Sequence, residues 1–354
     1  MTQHLTWSLV VPTYMRAHIL PRCVKQTLRQ SRLPKEIIIV DASPDWENTK
    51  SIIQALTTPT DVTLIYQEAH TPSSTAQRNQ GISAASADVL FLIDDDSLMY
   101  DDCAEEIMKV YEADTGASIL GASAMQDSLP PDIKTVTADE QASFSIASPP
   151  KQTGLRRFFK KLLDTQSTQF LPYDGDFPSH PVPEHLRDLN IGVIPFMTGS
   201  SMTFRRSVFE SEQFNELFIR YAAGEDQDLS YRVSRKGLIV NVINARLCHL
   251  EISGGRIPQF KVGVLAALNP AVLQQIHSPN RKHTNAQWKR ILWRLLLINF
   301  LKELSAREFS FQRTRAILFS LKQLPEIHSR SGSELTQWYN TFQAAFLADR
   351  SSAS

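Results

Sequence analysis

Cysteine is scarce in this chain of 354 residues, and Cys23, Cys103 and Cys248 lie far apart. Three thiols cannot all pair, and their spacing fits no zinc pattern, so neither a disulfide framework nor a structural zinc site is expected. Charge of one sign is also lacking. Lys plus Arg and Asp plus Glu each number 37, so no net basic field points to nucleic acid as a partner. No apolar run approaches the ~20 residues that span a bilayer. Thr2-Gln-His-Leu-Thr-Trp7 lacks the basic segment and long apolar core of a signal peptide. Internal repeats and low-complexity tracts are missing too. A hydrophobic fraction of 42% with 21% charged residues is that of a soluble globular protein. The expectation is a cytoplasmic protein in a reducing compartment.

Against these absences, one segment carries unusual chemistry. Val89-Leu-Phe-Leu-Ile93 reads as a strand buried on both faces, and it runs directly into Asp94-Asp95-Asp96. Three adjacent carboxylates repel one another unless a cation or ligand hydroxyls share their charge. Carboxylate oxygens suit Mg²⁺ and Mn²⁺, which keep phosphate oxygens as further ligands. The plain alternative is an acidic lead-in to the helix that follows at Asp101-Asp102-Cys-Ala-Glu-Glu.

The surrounding pattern alternates strand and helix. Leu9–Val11 reads as a short strand stopped by Pro12, Glu36–Val40 as a buried strand ending at Asp41, and Val62–Tyr66 as a third. Helical spacing covers His18–Gln30, Thr49–Leu56 and Ser74–Ala84. Such alternation predicts an α/β fold with a mostly parallel central sheet and helices on both faces. Ligands of these sheets sit beyond the carboxyl ends of the strands. That rule gathers Pro12-Thr13-Tyr14, Asp41-Ala-Ser43 and Asp94–Asp96 along one rim.

These residues carry a resemblance. Val11-Pro-Thr-Tyr-Met-Arg16, Ile39-Val-Asp-Ala-Ser43, Ala76-Gln-Arg-Asn-Gln-Gly81 and Phe91-Leu-Ile-Asp-Asp-Asp96 follow one another as in family 2 glycosyltransferases. Downstream, Phe196-Met-Thr-Gly-Ser-Ser-Met-Thr-Phe-Arg-Arg206 resembles that family's acceptor-side strand, and Gly224-Glu-Asp-Gln-Asp-Leu-Ser-Tyr-Arg232 its catalytic Glu-Asp segment. The resemblance runs from about residue 8 to residue 250. It implies a GT-A fold, a nucleotide-diphosphate sugar as donor, a divalent metal (Mn²⁺ or Mg²⁺) and inversion at the transferred sugar.

By that resemblance the donor meets Pro12, Thr13, Tyr14, Arg16, Asp41, Ser43, Arg78, Asp94 and Asp95. Asp41 would accept from a pyrimidine N–H or a ribose hydroxyl, although an Asx-turn would also explain it. Ala42 stands where the family usually has a second acid. Arg78 would stack on a base or neutralise a phosphate. Asp94 and Asp96 match the outer positions of the family's Asp-x-Asp pattern. Asp96 is the implied metal ligand, with His249 completing the coordination. Gly199 and Ser200 fall on the acceptor side. Asp226 is the implied general base, with Glu225 supporting it. Ordinary acidic charge at a helix N-terminus would equally explain that pair, and a surface pair with Asp228 explains Arg232.

The expected domains are 1–255, with an acceptor-side insertion at about 126–190, and a helical extension at 256–354. Pro130-Pro131, Pro149-Pro150 and Leu171–Pro178 suggest irregular loops in the insertion, and Thr153–Leu163 is a short basic amphipathic stretch. Ala286–Lys302, Phe311–Leu324 and Glu334–Leu347 read as amphipathic helices. They would pack together or give peripheral membrane contact at the inner face, near a glycan or lipid-linked acceptor. The rival functions are a retaining GT-A transferase, a non-catalytic nucleotide-sugar or glycan-binding protein, and a nucleotidyltransferase. The last normally shows a Gly-rich phosphate loop after its first strand, which Pro12-Thr-Tyr-Met-Arg16 is not.

Overall fold

The computed structural model describes residues 4–130, 133, 170–219, 222–252 and 257–349. They form two compact units. One takes in the described residues within Met1–Ile146, Pro178–Asn215 and Glu225–Gly255, the other those within Ala147–Phe177, Glu216–Gly224 and Arg256–Ser354.

The first unit is built on a sheet whose strands are β1 (Trp7–Thr13), β2 (Glu36–Asp41), β3 (Thr63–Glu68), β4 (Val89–Leu92), β5 (Ser97–Met99), β6 (Ile119–Gln126), β7 (Ile191–Val193), β8 (Met202–Arg205) and β9 (Leu238–His249). Their order is β3-β2-β1-β4-β8-β6-β9-β5, with β7 also on β9. β1, β2, β3, β4, β6 and β9 run one way, and β5, β7 and β8 run against them. Every residue of β1, β2 and β4 is buried, which requires cover on both faces. That cover comes from α1 (Leu20–Thr27), α2 (Trp46–Thr57), α3 (Ser74–Ala84), α4 (Cys103–Ala113) and α5 (Glu225–Ser234).

Three details position the rim. First, β1 does not stop at Pro12 but continues to Thr13, where it pairs with Asp41 of β2. Its pairing with β4 ends at Val10↔Leu92. Past that point β1 has a neighbour on one side only, so a residue without an N–H is tolerated. Second, α3 lies close on the sheet. A Cβ at Gly81 would fall 2.5 Å from Val10 Cγ1, so only glycine permits this approach. Third, β9 runs beyond the expected Leu238–Ile243 to His249, and its end pairs with β5 through Ser97↔His249. A three-residue strand directly after Asp94–Asp96 thereby ties the distant histidine to the acids.

The second unit contains α6 (Gln259–His277), α7 (Arg281–Ser305), α8 (Gln312–His328) and α9 (Gly332–Ala348). The last three cover the expected amphipathic stretches. α6 was not anticipated, because Pro270 interrupts it and its apolar residues show no one-sided pattern. Trp288 of α7 donates to the Ala267 carbonyl at 3.0 Å, and Tyr339 of α9 donates to Asn269 Oδ1. Glu303 is buried at the end of α7 and accepts from Arg313 N, Thr314 N and Thr314 Oγ1, closing the start of α8. No helix among the described residues is long and apolar enough to cross a membrane. The basic stretch Thr153–Leu163 lies outside the described residues. In the described part of the insertion, a single 3-10 turn, Glu184–Leu186, precedes β7.

Candidate functional site

Asp94, Asp96 and His249 converge. One ligand atom from each lies within 4.8 Å of the others. His249 Nε2 stands 3.1 Å from Asp96 Oδ1 and 3.7 Å from Asp94 Oδ2. Asp96 Oδ2 faces Arg16 at 3.0 Å and accepts from the Ile252 backbone N–H at 3.0 Å. Burial pushes the Asp96 carboxyl up, but the His249 hydrogen bond and charge, Arg16 and the Ile252 N–H outweigh it and leave it at about 2. At His249, Asp96 overcomes burial and raises the imidazole. Among the described residues, Asp96 Oδ1 is buried and meets no donor other than that imidazole nitrogen. Two carboxylates and one imidazole around such an oxygen fit a divalent cation of the Mn²⁺ or Mg²⁺ kind.

Asp95 turns away from this trio. It accepts from Thr13 Oγ1 and Arg16 Nη1, both at 2.7 Å. Burial pushes its carboxyl up to about 7, against the pull of Arg16 and with a further push from Asp96. Arg16 thus locks the loop after β1 to both acids, and its other arm donates to the Ile252 carbonyl at 2.9 Å.

Asp41 is 1% exposed, and both oxygens have partners. Ser43 N donates to one at 2.8 Å in an Asx-type turn, and Tyr66 O–H to the other at 2.6 Å. Ser43 Oγ in turn accepts from Met15 N, and Met15 sits at φ 53, a left-handed conformation uncommon for a side-chain-bearing residue. Tyr14 and Met15 are left exposed beside the rim, whereas Pro12 and Thr13 are buried in β1. A ligand would reach Asp41 through Tyr66 or by sharing its remaining lone pairs. Tyr66 was not singled out from sequence, where the strand reads as ending at Tyr66, whereas β3 continues to Glu68.

Arg78 joins the two acidic clusters. Its guanidinium is buried, donating from Nη2 to Asp94 Oδ1 at 2.7 Å and from Nη1 to Glu225 Oε1 at 2.8 Å. The Phe214 ring lies under it at 5.4 Å. Its neighbour Gln77, also missed, donates to the Thr13 and Val40 carbonyls at 2.9 and 2.8 Å and so clamps α3 to the ends of β1 and β2. The adjoining Asp226, in the first turn of α5, accepts from Gly199 N at 2.9 Å and from Gln227 N at 2.8 Å. Burial pushes the Glu225 and Asp226 carboxyls up. At Glu225 the Asp226 charge adds to this while Arg78 opposes it, and at Asp226 the two backbone N–H groups and Arg78 oppose it. Ser200 is buried and accepts from Gln126 Nε2 at 2.8 Å. Arg232 pairs with Asp228 and also with Glu212.

Gly199 packs against this assembly. A Cβ there would lie 3.0 Å from Arg78 Nη2, and two ion pairs hold that guanidinium in place. Gly199→Ala is therefore expected to destabilise the fold by about 1–3 kcal/mol, as overpacking does, and to lower turnover. Thermal unfolding and rate measurements check this against Gly192→Ala, where a new Cβ meets nothing within 4 Å.

Residues 8–211 match the family described as Glycosyl transferase family 2. The chain belongs to that family. The match ends before Glu225, Asp226 and His249, so those three rest on geometry and on chain order. A stretch of 90 residues is 36% identical to WcaA of Escherichia coli, named for a glycosyl transferase of colanic acid biosynthesis; it covers 25% of this chain and 32% of that protein. The chain thus matches about a third of that relative's length. Among solved structures, the mannosyltransferase PcManGT from Pyrobaculum calidifontis, in complex with GDP-Man and Mn²⁺, aligns with a TM-score of 0.50 and 13% identity over 99% of this chain and 83% of its own. GalNAc-T7 with UDP, GalNAc and Mn²⁺ aligns at 0.53 and 14% identity over 98% of this chain and 58% of its own. At such identity the likeness concerns the fold alone. That fold is GT-A, a central, mostly parallel sheet with surrounding helices and a C-terminal helical region, and this family 2 glycosyltransferase has it.

Proposed function

We propose that this family 2 glycosyltransferase transfers a sugar, with inversion and in a metal-dependent reaction, from a nucleotide-diphosphate sugar to a hydroxyl of a glycan or lipid-linked acceptor. The observation that carries the reading is Arg78, whose one guanidinium holds Asp94 of the first acidic cluster and Glu225 of the second. The donor's diphosphate belongs at the first cluster and the acceptor hydroxyl at the second. The GDP-Man bound by PcManGT and the UDP in the GalNAc-T7 structure support the donor class.

Asp94, Asp96 and His249 would hold the cation. When bound, it supplies Lewis-acid stabilisation of the negative charge that develops on the leaving nucleotide diphosphate. Thr13, Arg16 and Asp95 fix the loop after β1, while Asp41, Ser43 and Tyr66 shape the nucleoside end of the rim. Asp226 takes the proton of the acceptor hydroxyl as its oxygen attacks the anomeric carbon. Its two backbone hydrogen bonds aim the carboxylate and leave lone pairs free for that proton. Gly199 and Ser200 line the acceptor side.

Turnover of a panel of UDP and GDP sugars, followed with Mn²⁺ and after chelation, tests the assignment. Chelation is expected to lower transfer by a factor on the order of 10² or more, as loss of several kcal/mol of charge stabilisation requires. The product's anomeric configuration, read by NMR, should be opposite to the donor's. Full turnover in the chelated enzyme, or a retained anomer, would contradict the proposal.

A further inference from the structure

Helix α7 exposes an apolar stripe. Trp293, Leu297, Phe300, Leu301 and Leu304 are each between 42% and 55% exposed, and Phe309 just beyond the helix is 69% exposed. Their spacing puts all five helical residues on one face. The opposite face of α7 carries the buried Trp288, Leu292 and Ile298, which pack within the second unit. Elsewhere large exposed apolar residues are scattered mostly singly, which is ordinary for a surface.

The charge around the stripe is mainly of one sign, with Glu308, exposed beside Phe309, as the exception. α7 carries Arg281, Lys282, Lys289, Arg290, Arg294 and Lys302 against one acid, Glu303. Glu303 is buried and engaged by the backbone of α8, so it offers nothing to the surface. Lys282, Lys289 and Arg290 lie on the same face as the stripe, about one to three turns N-terminal to its first residue, Trp293, and all three are exposed.

We infer that this face of α7 is an in-plane docking surface for an anionic phospholipid bilayer, the apolar residues entering the headgroup boundary and the basic ones meeting lipid phosphates. An amphipathic helix with a basic polar component is the arrangement that lies on a membrane without crossing it. A second copy laid on the same face through a two-fold axis would set one basic α7 against another, with only the exposed Glu308 just past each helix to offset the six basic residues in each. The inference does not rest on the catalytic assignment, because its test reads binding alone.

The full chain is sedimented with vesicles of phosphatidylcholine alone and of phosphatidylcholine and phosphatidylglycerol in equal parts. Binding to the anionic vesicles should be at least about tenfold tighter, since each Lys or Arg near such a surface contributes about fivefold. It should weaken as salt rises from about 0.1 M to about 1 M and the Debye length falls from about 10 Å to about 3 Å. Leu297→Glu with Phe300→Glu should reduce binding more than tenfold. Lys289→Glu with Arg290→Glu should erase the preference for anionic lipid while leaving the melting temperature unchanged. Absence of binding to anionic vesicles, or equal binding to both kinds, overturns the inference. So does a dimer, seen by light scattering, that the Leu297→Glu and Phe300→Glu changes dissociate.

Discussion

Replacing Asp226 by Asn is expected to cut sugar transfer by about 10²- to 10⁴-fold, the range a positioned general base supplies. The donor KM should stay close to wild type, because the lost interaction is made only as the acceptor attacks. The carboxylate is fixed by N–H donors from Gly199 and Gln227, and an Asn side chain can accept only one of those bonds. Nucleotide binding by calorimetry and thermal unfolding therefore accompany the rate, separating a lost base from a loosened loop.

The pH dependence gives a second readout of the same residue. A base must be ionised to act, and burial raises the Asp226 carboxyl above the ~3.9 of a solvated Asp. The group holds its proton to higher pH, so wild-type turnover should fall on the acid side at a pH above the ordinary carboxylate range. The residual activity of Asp226→Asn should lack that limb. Full transfer by the variant, or an identical acid limb, would remove the role given to Asp226.

Much of the fold is legible in the sequence because buried parallel strands announce themselves as short apolar runs. Glu36–Val40 and Val89–Ile93 read this way, and the helix Ser74–Ala84 has the same ends in the structure. Pro12 misleads, since a proline is tolerated in a central strand once one neighbour has ended. α6 escapes notice because a helix apolar on all sides lacks the one-sided period that marks a surface helix.

At the site, the chain order of the acids is legible and their partners are not. Asp94, Asp95 and Asp96 look equivalent in sequence. In the structure Asp95 turns to Thr13 and Arg16, while Asp94 and Asp96 turn to His249. What separates them is the pairing of Ser97 with His249, between residues more than 150 positions apart and through a strand only three residues long. Local patterning carries no trace of such a contact. Tyr66 is missed for a related reason. Its hydrogen bond to Asp41 depends on strand register, which fixes the residues that face each other at the ends of β2 and β3.

Arg78 is the residue where the sequence says least and the structure most. As a helical arginine it invites a solvated reading, yet it is 2% exposed and holds two carboxylates from separate parts of the chain. Removing one partner of a buried ion pair costs about 3–5 kcal/mol, because the charge left behind stays desolvated. Asp94 is 32% exposed and Glu225 14%, so water relieves part of that and the lower end applies. For a folding unit of this size about 3 kcal/mol corresponds to a fall of about 10 °C in melting temperature. Arg78→Ala should show that fall. Its turnover should drop as well at temperatures where it remains folded, since Asp94 and Glu225 then repel each other across the vacated site. Arg78→Lys restores a charge but not a fork, and a single ammonium cannot serve both carboxylates in the same geometry. It should regain stability more than rate. A loss confined to donor KM in both variants would mean that Arg78 acts on the diphosphate directly. Wild-type melting and turnover in Arg78→Ala would show that the two acidic clusters hold their places without it.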